Sequence, residues 1–141
     1  MADTVQFDLV SPERKLASVD AREVLLPGTE GDMTVMPDHV RVITTLRPGI
    51  VTVTDADGST DYVVTGGFAE INPDSISVLA ERAVSRADIT QEHFKEMIDE
   101  ANARLEKAKQ ADDNEPGPVD EAAKLLADMV AMGEEMGLKA N

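Results

Sequence analysis

Hydrophobic and polar positions along the chain follow two periods, and the change between them falls near Asp88. In "VQFDLV", Val5, Phe7 and Leu9 take one side and Gln6 and Asp8 the other, the period-two alternation of a half-buried strand. "REVLLP" and "MTVMP" follow. "VRVITTL" and "IVTV" are short β-branched runs bounded by "RPG" and "DADG", and "DYVVTGG", "FAEI" and "ISVLA" complete the series. At least eight short strands fit between residues 3 and 83, and no helical pattern separates them. That spacing predicts an antiparallel sandwich or flattened barrel. "DADGSTD" reads as a hairpin turn with Gly58 at positive φ, and "NPDS", residues 72–75, as a second turn between apolar runs.

Beyond Asp88 the period becomes helical. Phe94, Met97, Ile98, Ala101, Leu105 and Ala108 recur at intervals of three and four, which is one stripe of a helix. Asp88 and Gln91 are placed to form a capping box at its start. "DDNEPGP", residues 112–118, interrupts the pattern, because two prolines and a glycine do not continue a helix. A second stripe runs through Ala122, Leu125 or Leu126, Met129, Met132 and Met136, weakened toward its end by Gly133 and Gly137. The predicted fold class is α+β: an N-terminal β-sandwich over residues 1–84, then a C-terminal two-helix hairpin over residues 85–141.

Composition narrows what such a chain does. Of 141 residues, 42% are hydrophobic, but only Phe7, Tyr62, Phe68 and Phe94 are aromatic, so the core is aliphatic. A formal net charge of −15 repels a polyphosphate backbone, and the scarcity of aromatics removes the usual stacking platform, so nucleic acid is excluded as a partner. The absence of cysteine excludes disulfides, thiolate metal sites and a thiol nucleophile. "MADTVQFDLV" does not read as a signal peptide, and no apolar run reaches the roughly 20 residues of a membrane span, so membrane attachment is expected only through partners. Acidity is concentrated at the end: residues 111–141 hold eight acidic side chains against Lys124 and Lys139.

No motif gathers catalytic or metal-binding chemistry. Asp55, Asp57 and Asp61 cluster in "DADGSTD", but a calcium loop of the EF-hand type needs flanking helices and a closing Glu, whereas a hairpin turn accounts for each residue. His39, in "MPDHV", and His93 have no second His at ligand spacing. Asp38 beside His39 points to the opposite face if both lie on a strand, so no relay is expected and His39 reads as a packing or interface residue. "TGGF" lacks the Lys and the helix of a phosphate loop; its glycines read as a bulge or a close backbone approach. A convergent acid/base pair is absent. Neither catalytic residues nor a cofactor nor a metal is expected.

Residues 25–51, "LLPGTEGDMTVMPDHVRVITTLRPGIV", with "VVTGGFAEINPDSISVLAERA" and the opening "VQFDLVSPER", resemble the epsilon subunit of F-type ATP synthases, called delta in mitochondria. The order and spacing of the turn residues carry the resemblance, which spans residues 3–84; the hairpin agrees in length and architecture more than in sequence. The resemblance implies a ten-stranded antiparallel β-sandwich with two C-terminal helices. It implies a non-catalytic rotor subunit of the central stalk that couples ion flow through the membrane ring to ATP synthesis. The implied partners are the gamma subunit, the c-ring and, transiently, the alpha/beta catalytic head, at the cytoplasmic side of a bacterial inner membrane. The turn around Glu30, Gly31 and Asp32 corresponds to the ring-facing tip, and Pro37 and His39 lie near the gamma contact.

Two departures bear on regulation. Some family members bind ATP through an Ile-Asp-x-x-Arg-Ala motif at the start of the first helix. The same register here holds Ile89, Thr90, His93 and Phe94. A forked permanent cation has been replaced by a largely neutral imidazole, so ATP binding is expected to be weak or absent. The acidic second helix opposes entry into an acidic part of the catalytic head, so self-inhibition of ATP hydrolysis is expected to be weak or absent. The alternative reading is a free-standing ligand- or peptide-binding β-sandwich.

Overall fold

A computed structural model describes residues 4–110 and the residues from 116 to 138. The chain divides into two compact units, Met1–Asp88 and Ile89–Asn141.

The described residues of the first unit form ten strands: β1 Val5–Val10, β2 Lys15–Ala21, β3 Glu23–Gly28, β4 Gly31–Val35, β5 Val42–Leu46, β6 Gly49–Asp55, β7 Gly58–Val64, β8 Gly67–Ile71, β9 Ser75–Ala80 and β10 Ala83–Ser85. Alternation alone passes over two of them. The fully inward positions of β2 are Ala17 and Ala21, whose small side chains give little signal, and β10 has three residues. The strands form one hydrogen-bonded sheet in the order β10-β7-β6-β3-β5-β8-β9-β1-β2, with β4 paired to β3 off that path. Every pairing is antiparallel except β1 with β9, where Phe7 lies opposite Ile76 in a parallel ladder.

The sheet folds on itself at β3. Glu23–Leu25 of β3 pairs with Thr52–Thr54 of β6, and Gly28 pairs with Leu46 of β5. β3 thus hands over from one layer to the other along its own length, and β2 returns to lie near β6 and β10. The inward positions, Phe7, Leu9, Leu26, Val35, Ile71 and Ile76 among them, form one aliphatic core with less than 2% exposure each. Burying each such side chain contributes about 1.5–3 kcal/mol.

Turn chemistry sets the register. Asp55 pairs with Gly58 across the β6–β7 hairpin, the Asp57 N–H donates to the Asp55 carboxylate at 2.8 Å, and Gly58 takes φ 131°. Asp61 accepts from the Thr52 hydroxyl and from Arg86. The aspartates of this hairpin are thus engaged in turn and sheet geometry. Gly67 is the close-approach glycine: its φ is 132°, and a Cβ there would collide with the Leu79 carbonyl oxygen and lie 2.8 Å from Ala80 Cα.

The described residues of the second unit form α1, Gln91–Gln110, and α2, Pro116–Glu135. The capping residue of α1 is Thr90 rather than Asp88: the His93 N–H donates to Thr90 Oγ1 at 3.1 Å, while the Asp88 N–H closes a turn on the Ser85 carbonyl. The helix begins two residues later than a box on Asp88 and Gln91 requires. Phe94, Met97, Ile98 and Ala101 are buried on one face of α1, as the three-four spacing predicts. The interrupting stretch divides: residues 112–115 lie outside the described residues, whereas Pro116, Gly117 and Pro118 form the first turn of α2, where a missing N–H costs no hydrogen bond. On α2, Met129 and Met132 are buried. The helix ends in a Schellman motif, with Gly137 at φ 74°, the Leu138 N–H on the Gly133 carbonyl at 2.8 Å and the Gly137 N–H on the Glu134 carbonyl at 3.1 Å.

Candidate functional site

Connections gather at the two ends of the sandwich. One end carries the turns β1–β2, β3–β4, β5–β6, β7–β8 and β9–β10; the other carries β2–β3, β4–β5, β6–β7 and β8–β9. Glu30, Gly31 and Asp32 sit at the first end, and Pro37 and His39 at the second. β4 separates the groups by about 17 Å, taking roughly 3.3 Å per residue. The structure therefore resolves the residues singled out between 30 and 39 into two surfaces.

At the first end, Gly28 pairs with Gly31, leaving Thr29 and Glu30 as the exposed tip of the β3–β4 hairpin. The tip is tied to the β5–β6 turn. The Thr29 N–H donates to the Thr45 carbonyl and the Arg47 N–H to the Pro27 carbonyl, at 3.0 and 2.9 Å. The Arg47 guanidinium donates to the Gly28 carbonyl and to the Asp32 carboxylate, each at 2.5 Å. With Asp32 largely exposed, this pair contributes at most about 1 kcal/mol. Its consequence is geometric: one planar fork fixes both sides of the turn. Sequence reading missed Arg47, because only the fold brings "RPG" beside "GTEGD".

At the second end, Pro37 and Asp38 form a turn, and Asp38 adopts φ 66°, the left-handed region that Asp tolerates. The Asp38 N–H donates to the Pro73 carbonyl at 2.8 Å, which anchors this turn to "NPDS". Because Asp38 and His39 lie in a connection, the opposite-face argument for a strand does not apply to them. His39 is half-buried, and its Nδ1 lies 2.8 Å from the Val40 carbonyl. A carbonyl only accepts, so Nδ1 is the donor in this contact.

Between the two ends runs a face that sequence reading did not single out. β5, β8 and β9 point Val42, Ala69, Ile71, Ile76 and Val78 inward, and the alternate positions outward. Three outward positions are large and apolar: Ile43 at 69% exposure, Phe68 at 46% and Leu79 at 46%. Phe68 lies directly opposite Leu79 and one diagonal step from Ile43, which pairs with Glu70. Val40, 77% exposed, precedes β5 at the far end. The available signal was a break in alternation: "VI" and "VLA" supply more apolar residues than one buried face uses.

The nucleotide-motif register is arranged differently. Thr90 spends its hydroxyl on the helix cap, and Ile89 is half-buried. His93 is exposed, with its backbone N–H committed to that cap, and Phe94 is fully buried.

The family described as "ATP synthase, Delta/Epsilon chain, beta-sandwich domain" matches residues 4–86. The ATP synthase epsilon chain of Ruegeria sp. (strain TM1040) is 56% identical over 138 residues, covering 98% of this chain and all of the relative. That of Paracoccus denitrificans is also 56% identical, over 142 residues, covering all of this chain and 96% of the relative. Among solved structures, a chain of the Euglena gracilis mitochondrial ATP synthase (OSCP/F1/c-ring) superposes with a TM-score of 0.70 at 22% identity, covering 96% of this chain and 83% of that one. A chain of the Tetrahymena thermophila mitochondrial ATP synthase central stalk and c-ring superposes with a TM-score of 0.61 at 16% identity, covering 93% and 94%.

Proposed function

Because the chain belongs to the delta/epsilon family of ATP synthase subunits, we propose that it is a rotor subunit of the central stalk, coupling ion flow through the membrane ring to ATP synthesis. The gamma subunit covers the outward face of β5, β8 and β9, and the Glu30–Gly31–Asp32 tip rests on the c-ring. The observation that carries this reading is the adjacent pair Phe68 and Leu79 with Ile43 one diagonal step away, exposed on an otherwise regular sheet. A contiguous apolar patch framed by polar residues, here Glu70, Thr45 and Ser77, has the composition of a protein interface. Pro37 and His39 border the same contact from the far end.

Both partners need a joint that does not yield. Arg47 fixes the tip from two sides, and Asp38 anchors the far turn to Pro73. Both connections are tied back to the sandwich by hydrogen bonds. The subunit supplies no catalytic group and reaches the bacterial inner membrane from the cytoplasmic side through its partners. No helix among the described residues is long and apolar enough to cross a membrane.

The hairpin takes a minor regulatory part. The degenerate motif at Ile89, Thr90, His93 and Phe94 leaves ATP binding weak or absent, and the acidic α2 leaves contact with the alpha/beta head transient and self-inhibition feeble. Deleting residues 85–141 is expected to leave the hydrolysis rate of the assembled enzyme almost unchanged; a rise of several-fold refutes this part. A pull-down with a tagged copy tests the whole: gamma, the catalytic subunits and the ring are expected to follow it from detergent-solubilised membranes. A tagged chain that stays alone in the supernatant overturns the reading.

A further inference from the structure

Gly133 is a misfit by local rules. It lies inside α2, two positions before the end, and glycine is among the poorest residues for a helix interior. The left-handed cap that ends the helix is made by Gly137, so Gly133 is not needed for termination. Its surroundings supply another reason. A Cβ built on Gly133 would collide with Cζ of Phe94 and lie 2.6 and 2.8 Å from its Cε2 and Cε1. The Phe94 ring therefore lies flush on the α2 backbone, and both residues are buried.

Position along the helices gives this contact its role. Phe94 is in the first turn of α1 and Gly133 in the last turn of α2, so the two helices run antiparallel. The chain itself ties the C-terminal end of α1 to the start of α2. The opposite end has no covalent tie, and there separation of the helices begins. We infer that Phe94 and Gly133 form a size-matched clasp, a ring seated in the space of a missing side chain, that holds shut the untethered end of the hairpin. Met97 and Met129, about one turn from Phe94 and Gly133 respectively, are buried, as is Met132 next to Gly133, so parting the clasp exposes the largest apolar side chains of the unit. The clasp also couples two helix ends that are each separately fixed, α1 by the Thr90 cap and α2 by the Schellman turn. Neither end can shift by a residue without unseating the ring.

The clasp and simple helix propensity predict opposite signs for one substitution, which makes the inference testable in the full-length chain. Gly133→Ala improves helix propensity, so without a clasp it raises the thermal midpoint of the helical signal at 222 nm. With the clasp it lowers that midpoint by several degrees, because the methyl group and the ring cannot share the space. Phe94→Ala also lowers it. The double variant Phe94→Ala/Gly133→Ala restores part of the loss seen in Gly133→Ala, because the methyl group then enters the vacated space. Spin labels at two exposed positions, Glu92→Cys and Glu135→Cys, read the geometry directly, as the chain has no cysteine of its own. A single narrow distance is expected without further change, and a longer or broader one in Gly133→Ala. A raised midpoint with an unaltered distance in Gly133→Ala, or strictly additive effects in the double variant, overturns the clasp.

Discussion

The sandwich and the hairpin solve the same problem, burying aliphatic side chains with almost no aromatics, by different means. In the sandwich each core residue is fixed from two directions, by the layer opposite and by ladder partners on the neighbouring strands. Leu26 is buried in the core while its strand pairs with β4 on one side and with β6 and then β5 on the other. In the hairpin two helices, each hydrogen-bonded within itself, share one seam of Phe94, Met97, Ile98, Ala101, Met129 and Met132. Cross-linking in two dimensions makes a body suited to bearing load. A single seam makes a pair that can in principle come apart, and its stability is concentrated at a few contacts.

The largest contrast is expected from core truncation. Phe7→Ala should cost the sandwich about 3–5 kcal/mol, because the ring is fully enclosed and ladder-fixed strands collapse poorly onto a void. Met129→Ala in the hairpin should fall near the low end of the roughly 2–5 kcal/mol range, because two helices held by one seam can close in. Urea denaturation followed separately in the β and helical signals measures both; equal costs would break the contrast.

A smaller effect is expected at the helix start. Thr90→Ala removes the oxygen that accepts the His93 N–H and should cost the hairpin about 1 kcal/mol, with Thr90→Ser recovering most of it. An unchanged helical midpoint in Thr90→Ala would reassign the cap.

The smallest effect is a pH dependence confined to the sandwich. Burial, and then the negative charge of Asp55, push the Tyr62 hydroxyl above its usual value of 10.0. The unfolded chain ionises first, so this contribution is fully present below pH 10.0 and is lost as the pH rises through the folded value. Tyr62→Phe should flatten that alkaline loss and leave neutral stability nearly unchanged. A steep alkaline decline that persists in Tyr62→Phe would place its cause elsewhere.

The strands and stripes that rest on large side chains were legible in the sequence. Val5, Phe7 and Leu9 are buried as the alternation requires, and the spacing that starts at Phe94 marks the buried face of α1. What was illegible depended on small residues or on distance along the chain. β2 turns alanines inward, so its pattern is faint. The cap reads as Asp88 in the sequence, whereas the structure puts it on Thr90, whose hydroxyl accepts the His93 N–H. Gly133 read as a weakness until the ring 39 positions earlier was seen to fill its place. The outward apolar face is the instructive case. Phe68 and Leu79 are opposite each other only once β8 and β9 are paired, and in the linear sequence each passes for core.

That face is also where the functional reading is most exposed to test. A tagged full-length chain carrying Phe68→Asp and Leu79→Asp keeps its core residues, and its circular dichroism and thermal midpoint should match those of the unaltered chain. The account predicts that the unaltered chain brings gamma down from solubilised membranes and that the doubly altered chain loses it by at least about tenfold, as expected when charge enters the centre of an interface. Gamma retained in full by a folded double variant would contradict it.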